Sequence, residues 1–515
     1  VTAAPTDDDP TTPAAAPPWT RSEVLVTAGL AAALGVALVL LADGPSIWWD
    51  EVFSWGLAQE ALGTQLRTVP RGAMNGVIHH VLAAGLVPVV GDDLTWLRFP
   101  SILAWLAGLP AFHALARRLR PDATALVATA IYALAPLGLR HALEFRMYAL
   151  AATAAVVSTW LLARFVERPD TGRAVAYGLG AAIALGTHYF VVLTLAVHGL
   201  AVLLHPDRRR LLRTGWPAAV PTALALIPLA AVAAHRGGGG IAWIPELSWS
   251  GFTDTVFRLL GVTWSGYDGS RLVPALPLLL LLTVGLVRAV ASRASDDGDR
   301  AWLVRLVTLG ALLPVLAAVV ISIVVQPVLV DRYLVIVLAP GVLTALAGLD
   351  TLLRARRPLD RMAGWALGSL VLVATVPSSV GILTSDALGS EDFRLAGRLV
   401  ADAWREGDLV VTGDHADGHQ ARDGFLFHLD EAEVGARTMP IGRLERALAG
   451  GTIRPEPARL WVLDRGPERT LDWQAARATA ALGGSWELTW EWHENDLSLG
   501  LLERRSGPGR DDAPD

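Results

Sequence analysis

Two adjacent carboxylates, Asp50 and Glu51 in IWWDEVFSW, follow directly on the first strongly apolar stretch, Val24 to Leu41. Charges at a hydrocarbon boundary are costly to bury unless they are paired or have a task, so this pair points to chemistry on a lipid-linked substrate. Further acidic, basic and aromatic groups recur in short runs between apolar segments: RHALEFRMY (Arg140 to Tyr148), which carries Glu144, Arg146 and Tyr148; THYF (Thr187 to Phe190), with His188 and Tyr189; and DRY (Asp331 to Tyr333), with Arg332 and Tyr333.

The segments that must position these groups are hydrophobic. Of 515 residues 53% are hydrophobic, and long apolar runs alternate with short Arg-rich connections, which defines a polytopic membrane protein. No Lys occurs, so all basic residues are Arg, and orientation is read from where they sit rather than from the net charge of −6. The absence of Cys excludes disulfides and thiolate metal sites. Residues 1–23 read as a polar, Pro-rich, disordered cytoplasmic leader ahead of a full-length span rather than as a cleavable signal peptide.

Arg clusters at Arg117–Arg120, Arg164–Arg173, Arg208–Arg213, Arg288–Arg300 and Arg354–Arg361 mark cytoplasmic turns. Between them fall helical pairs, Ala123 to Leu139 with Met147 to Leu162 being the first and Trp302 to Val325 with Tyr333 to Leu349 the last. Val77 to Val90 holds only about fourteen residues, fewer than the roughly 17 needed to cross, and reads as a juxtamembrane helix on the outer face. Eleven spans result, with the N-terminus inside. Residues 24–384 form this all-α domain; 385–505 form a small extracytoplasmic α/β domain; 506–515 are a disordered tail. In the α/β domain GDLVVTG and RLWVLDRG read as buried strands, and SWELTWEWHEN with LSLGLLERR as a terminal strand pair. DHADGHQARDG (Asp414 to Gly424) lacks the closing Glu of a calcium loop and reads as a polar surface loop.

This topology gathers the polar runs on the outer face, together with a loop from His235 to Arg271 that bears Trp243, Trp249, Trp264 and Tyr267, aromatic rings suited to sugar faces. The order DE after the first span, LRFPS (Leu97 to Ser101), EFRMYAL (Glu144 to Leu150), THYF and DRYLVIVLAP (Asp331 to Pro340) resembles GT-C-type glycosyltransferases, notably the protein O-mannosyltransferase and aminoarabinose transferase relatives found in actinobacteria. Where those relatives often carry a HPPLYY-like string, this chain reads AMNGVIHHVL from Ala73, and Met147 replaces their usual Pro.

The resemblance implies inverting transfer of a sugar, mannose first, from a polyprenyl-phosphate donor to an extracytoplasmic protein, glycolipid or glycan, with no nucleic acid involved. Asp50 matches the family's catalytic base, Glu51 would support it, and Glu144 matches the second acidic position. The departing phosphate gains negative charge, which calls for fixed cations: Arg332 first, then Arg146, with Tyr148, His188, Tyr189 and Tyr333 as donor-binding partners and the loop aromatics near the acceptor. No metal is required by the ligand spacing, although Asp50, Glu51, Glu144 and a His could hold a divalent cation.

Blander roles exist for the same residues. The Asp50–Glu51 pair could be a solvated topology marker, Glu144 and Arg146 could simply pair, and His188 could be a satisfied helix-end histidine. A lipid-linked sugar flippase and an inactive GT-C-fold binding protein are the alternatives. A flippase should place ionisable groups at span centres, whereas these centres are largely apolar.

Overall fold

The computed structural model describes residues 19–61, 63–64, 76–236, 244–261, 272–291, 298–384, 391–413, 416–429, 437–449, 457, 459–465, 468–483, 486–494 and 497–504. Two compact units emerge. The first comprises residues 1–41, 61–82 and 98–384, and the second 42–60, 83–97 and 385–515. The α/β unit thus takes in two segments from the start of the chain that the sequence reading assigns to the membrane domain.

In the first unit lie α1 (Arg21–Leu41), most of α4 (Leu94–Leu119), α5 (Ala123–Ala133), α6 (Pro136–Ala142), α7 (Tyr148–Glu167), α8 (Thr171–Thr187), α9 (Val191–Leu203), α10 (Arg208–Gly215), α11 (Ala219–Arg236), α12 (Trp249–Leu259), α13 (Leu272–Ala291), α14 (Gly298–Val324), α15 (Leu338–Leu353) and α16 (Pro358–Leu383). Helix α2 (Trp49–Ala58) belongs to the second unit, and α3 (Val77–Val90) passes from one to the other. Among the described residues eight helices are long and apolar enough to cross a membrane, nine if α5 and α6 form one bent crossing. Eleven crossings are expected from the sequence; the two further segments read as spans form α8 and α9, which at 17 and 13 residues are shorter than the eight. Leu25, Leu40, Ile227, Ile323, Val324 and Val373 lie exposed on the helices, as lipid-facing side chains must.

Local chemistry sets the helix boundaries. Asp122 and Asp170 cap α5 and α8, accepting from the Thr124 and Arg173 N–H groups at 2.9 Å, and Arg117, Arg118 and Arg164 occupy last turns, where they oppose the negative end of the helix dipole. Helices α13 and α15 pack closely through glycines, since a Cβ on Gly348 would lie 2.1 Å from the Leu281 carbonyl oxygen and one on Gly285 would lie 2.3 Å from that of Thr344.

One expected span is broken. The run read as a single helix from Ala123 to Leu139 bends by 54° between α5 and α6. Pro136 is the cause: it has no N–H to donate and forces Ala135 out of helical geometry, to φ −57° and ψ 119°.

The second unit adds α17 (Phe393–Ala403), α18 (Ala416–Phe427), α19 (Ile441–Ala449) and α20 (Glu468–Leu482) to strands β1 (Leu409–Thr412), β2 (Thr438–Pro440), β3 (Arg459–Arg465), β4 (Trp486–Glu494) and β5 (Leu497–Arg504). The sheet order is β2-β1-β3-β5-β4, parallel from β2 to β3 and antiparallel through β5 and β4. Leu409, Val411, Leu460 and Val462 project from alternate positions into a core with Ile441, Leu444 and Ala478. Strands β1, β3, β4 and β5 match the sequence reading, which has no strand at β2, and DHADGHQARDG does not form the expected surface loop. From Ala416 onward it is helical, because Ala421 and Phe425, one turn apart, are both fully buried and outweigh the polar residues between them.

Candidate active site

The bend at Pro136 turns α6 so that all seven of its residues are buried, and its last turn delivers Arg140 and His141 beside the Leu143–Met147 turn. There Glu144 is wholly buried. Its carboxylate accepts from Arg140 Nε at 3.1 Å on one oxygen and from His141 Nδ1 at 2.8 Å on the other. Gly76 makes room for this turn: its φ is +90°, and a Cβ there would stand 2.5 Å from the Thr187 carbonyl oxygen and about 3.0 Å from the Met147 side chain.

Aromatic contacts knit the other expected residues into the same cluster. His141 faces Tyr148 at 4.8 Å between ring centroids, Tyr148 faces His188 at 5.6 Å, and His188 faces Tyr333 at 5.1 Å. The Arg146 guanidinium lies 5.9 Å from the Tyr148 ring centre, and Tyr189 flanks His188 at 6.5 Å. Asp331 anchors its own segment, accepting the Arg332 N–H at 2.8 Å and pairing with Arg258 at 3.2 Å. The first unit therefore brings together Glu144, Arg146, Tyr148, His188, Tyr189, Arg332 and Tyr333.

Asp50 and Glu51 stand in the second unit, in the first turn of α2. Asp50 is half-buried. Glu51 is fully buried and reaches back to accept the Trp48 N–H at 3.3 Å, which closes the start of the helix and gives Glu51 a structural task. Trp249 begins α12 and is exposed on an open cleft of about 770 Å³ shared with Phe252, Ser322 and Gln326. Trp243, Trp264 and Tyr267 lie outside the described residues.

The sequence reading does not single out His141, although it stands three residues before Glu144. Its Nε2 is buried and has no hydrogen-bond partner among the described residues, so a carboxylate-oriented imidazole presents one nitrogen for a ligand. His79 and His80 are also buried, and His79 packs on Phe145 at 5.0 Å. Among the described residues no three His, Asp or Glu side chains are grouped to hold a metal ion.

Burial by itself would raise the Glu144 carboxyl, but His141, Arg140 and Arg332 outweigh it and hold the group below its ordinary range. Burial, reinforced by Arg146 and Arg332, pushes His188 down to about 3, so its imidazole is neutral. Both folded values are depressed, so both contributions to stability are full at neutral pH. That of His188 is lost as pH falls from 6.5 toward 3, and that of Glu144 as pH falls below 4.5. Thermal unfolding in detergent should therefore show a midpoint that declines steadily from pH 7 to pH 4; a flat profile for the wild type, or the same slope in His188→Gln, contradicts the assignment.

A helical body of eight or nine crossings that holds a buried, cation-ringed carboxylate defines a multi-pass membrane protein. The sequence profile of a family described as dolichyl-phosphate-mannose-protein mannosyltransferase matches residues 76–235. ArnT from Cupriavidus metallidurans bound to undecaprenyl phosphate is similar in structure with 12% identity and a TM-score of 0.56, over 94% of this chain and 98% of that one. The same protein in the apo state gives 14% identity and a TM-score of 0.52, over 93% and 98%. No curated protein matches the chain in sequence. The chain has the ArnT-like GT-C fold that its motifs led one to expect.

Proposed function

We propose that the protein is a membrane glycosyltransferase that moves a sugar from a polyprenyl-phosphate donor to an acceptor hydroxyl outside the cytoplasm. In the step itself, the acceptor oxygen bonds to the anomeric carbon from the face opposite the phosphate. The bond from that carbon to the phosphate oxygen breaks, its electron pair leaves with polyprenyl phosphate, and the hydroxyl proton passes to Asp50, which acts as base. Attack from the opposite face inverts the configuration. Arg332 and Arg146 neutralise the departing phosphate, while Tyr148, Tyr333 and neutral His188 hydrogen-bond its oxygens. Glu144 keeps Arg140 and His141 in place. Mannose is the proposed sugar, after the family whose profile matches, and the acceptor is a protein Ser or Thr, a glycolipid or a glycan.

One observation carries the lipid-linked donor. A cavity of about 690 Å³ opens between helices of the first unit, lined by Leu278, Leu282, Leu312, Val315 and Leu338, and it reaches Arg258, the partner of Asp331 beside Arg332. An apolar chamber that reaches a guanidinium group suits an isoprenoid tail with a phosphate head. Membranes containing the protein, given radiolabelled polyprenyl-phosphate mannose, should transfer label to an acceptor. Leu282→Trp, which narrows the chamber, should raise the donor KM about tenfold at unchanged kcat, because displacing two methylene groups costs roughly 0.8 kcal/mol each. Equal transfer with the variant at limiting donor rejects the cavity as the tail site, and no transfer from any polyprenyl-phosphate sugar rejects the activity.

A further inference from the structure

The α/β unit grips the segment that carries Asp50 from three directions. Arg394, in the first turn of α17, donates from Nη1 to the Gly44 carbonyl at 2.9 Å and from Nη2 to Asp43 at 3.2 Å, and its N–H donates to Ser46 Oγ at 3.2 Å. His428, just after α18, accepts the Ile47 N–H at 3.1 Å on Nε2. At the carboxyl end of β3, Arg465 donates to Glu391 Oε1 at 2.8 Å, while the other oxygen of Glu391 accepts the Trp49 N–H at 3.4 Å. The Arg465 guanidinium also lies 4.3 Å from the centre of the Trp49 ring, within cation–π range. Glu391 is almost completely buried, as are Ser46, Ile47 and Trp48.

Carboxyl ends of parallel strands are where α/β sheets usually present ligand-binding loops. Here that edge holds the protein's own chain one residue before Asp50. The Glu391–Arg465 pair fixes both the main chain and the ring of Trp49, and Glu51 closes the same helical turn from inside. A buried carboxylate whose two oxygens serve one guanidinium and one main-chain N–H tolerates little displacement.

We infer that Glu391 and Arg465 are positioning residues for the transfer reaction: through Trp49 they set the orientation of the Asp50 carboxylate, and the α/β unit serves the chemistry by this clamp. The inference rests on Asp50 being the base. A carboxylate free to wander loses the alignment that makes it effective, so the loss falls on kcat, while donor binding is governed by groups in the other unit.

The test uses the full-length protein in liposomes with labelled donor, comparing Glu391→Gln, Arg465→Gln and the exchange pair Glu391→Arg with Arg465→Glu, each in wild-type and Asp50→Asn backgrounds. In the wild-type background each single variant should lower kcat about 10- to 100-fold, the scale of an ångström-size misplacement, with donor KM within about twofold. In the Asp50→Asn background the same variants should cause no further loss. Arg465→Lys, which keeps the charge, should recover part of the activity that Arg465→Gln loses, and thermal unfolding identifies any variant that fails to fold. Wild-type kcat in both single variants overturns the clamp while leaving Asp50 as base. Equal fold-losses in both backgrounds also overturn it, since they mark a role that does not act through Asp50. Full activity in Asp50→Asn alone overturns the base assignment and the inference with it.

Discussion

Asp50→Asn is expected to lower kcat by about 10²- to 10⁴-fold, the usual contribution of a positioned general base, with the donor KM nearly unchanged. Asn keeps the shape of Asp and can still accept a hydrogen bond, but it cannot take up the proton that the acceptor hydroxyl must lose. In the proposed reaction the donor is held by guanidinium groups and the apolar cavity of the other unit, so the substitution should leave its affinity intact. Glu51→Gln separates the roles of the neighbouring carboxylates. Glu51 is buried and spends one oxygen on the Trp48 N–H, a bond that Gln can also accept. Its loss of activity should be much the smaller, with the greater effect on the stability of α2. Single-turnover rates with labelled donor decide the matter, and an Asp50→Asn enzyme that works as fast as wild type removes Asp50 from the mechanism.

The parts of this molecule visible in the sequence are those written in local patterns. Apolar runs bounded by Arg gave most helices, and alternation in Trp486–Glu494 and Leu497–Arg504 gave a strand pair whose antiparallel register the structure shows. The polar runs that meet around Glu144 were visible as runs because each keeps its chemistry within a few residues. What stayed hidden depends on distant partners or on competition between signals. Nothing near Trp49 marks Glu391, 342 positions away, as the acceptor of its N–H. Pro136 competes with an apolar run long enough to cross, and only the bend explains why Arg140 and His141 are buried rather than at a membrane surface. In α18 two buried residues one turn apart override a sequence dominated by Asp, His, Gln and Gly.

The Arg clusters show the same limit and lead to the largest stability effect. Read locally, Arg120, Arg300 and Arg354 are separate turn markers; in the structure all three converge on the buried carboxylate of Asp350, with Arg120 Nη1 at 2.7 Å, Arg300 Nη2 at 2.5 Å and Arg354 Nε at 2.7 Å. One acidic group thus ties the ends of α4, α14 and α15. Near the start of α4, Ser101 Oγ donates to the Arg146 carbonyl at 3.0 Å, and Arg120 of the tie follows 19 residues later, about 28 Å of helix and close to a hydrocarbon thickness, so the tie and the Glu144 cluster belong to opposite ends of the helical body. Asp350→Ala removes the shared acceptor and leaves neighbouring guanidinium charges facing one another, at a cost of about 3–5 kcal/mol. Thermal unfolding in detergent should show a midpoint lower by roughly 3–7 °C. Arg354 is the exposed member, so Arg354→Ala should cost less than about 1 kcal/mol. If the deficit of Asp350→Ala comes from uncompensated charge, adding Arg300→Leu should restore part of it, because an apolar replacement of a buried ion pair is often neutral. A double variant less stable than Asp350→Ala would show that Arg300 contributes packing of its own, and an unchanged midpoint in Asp350→Ala would show that the three guanidinium groups need no common carboxylate.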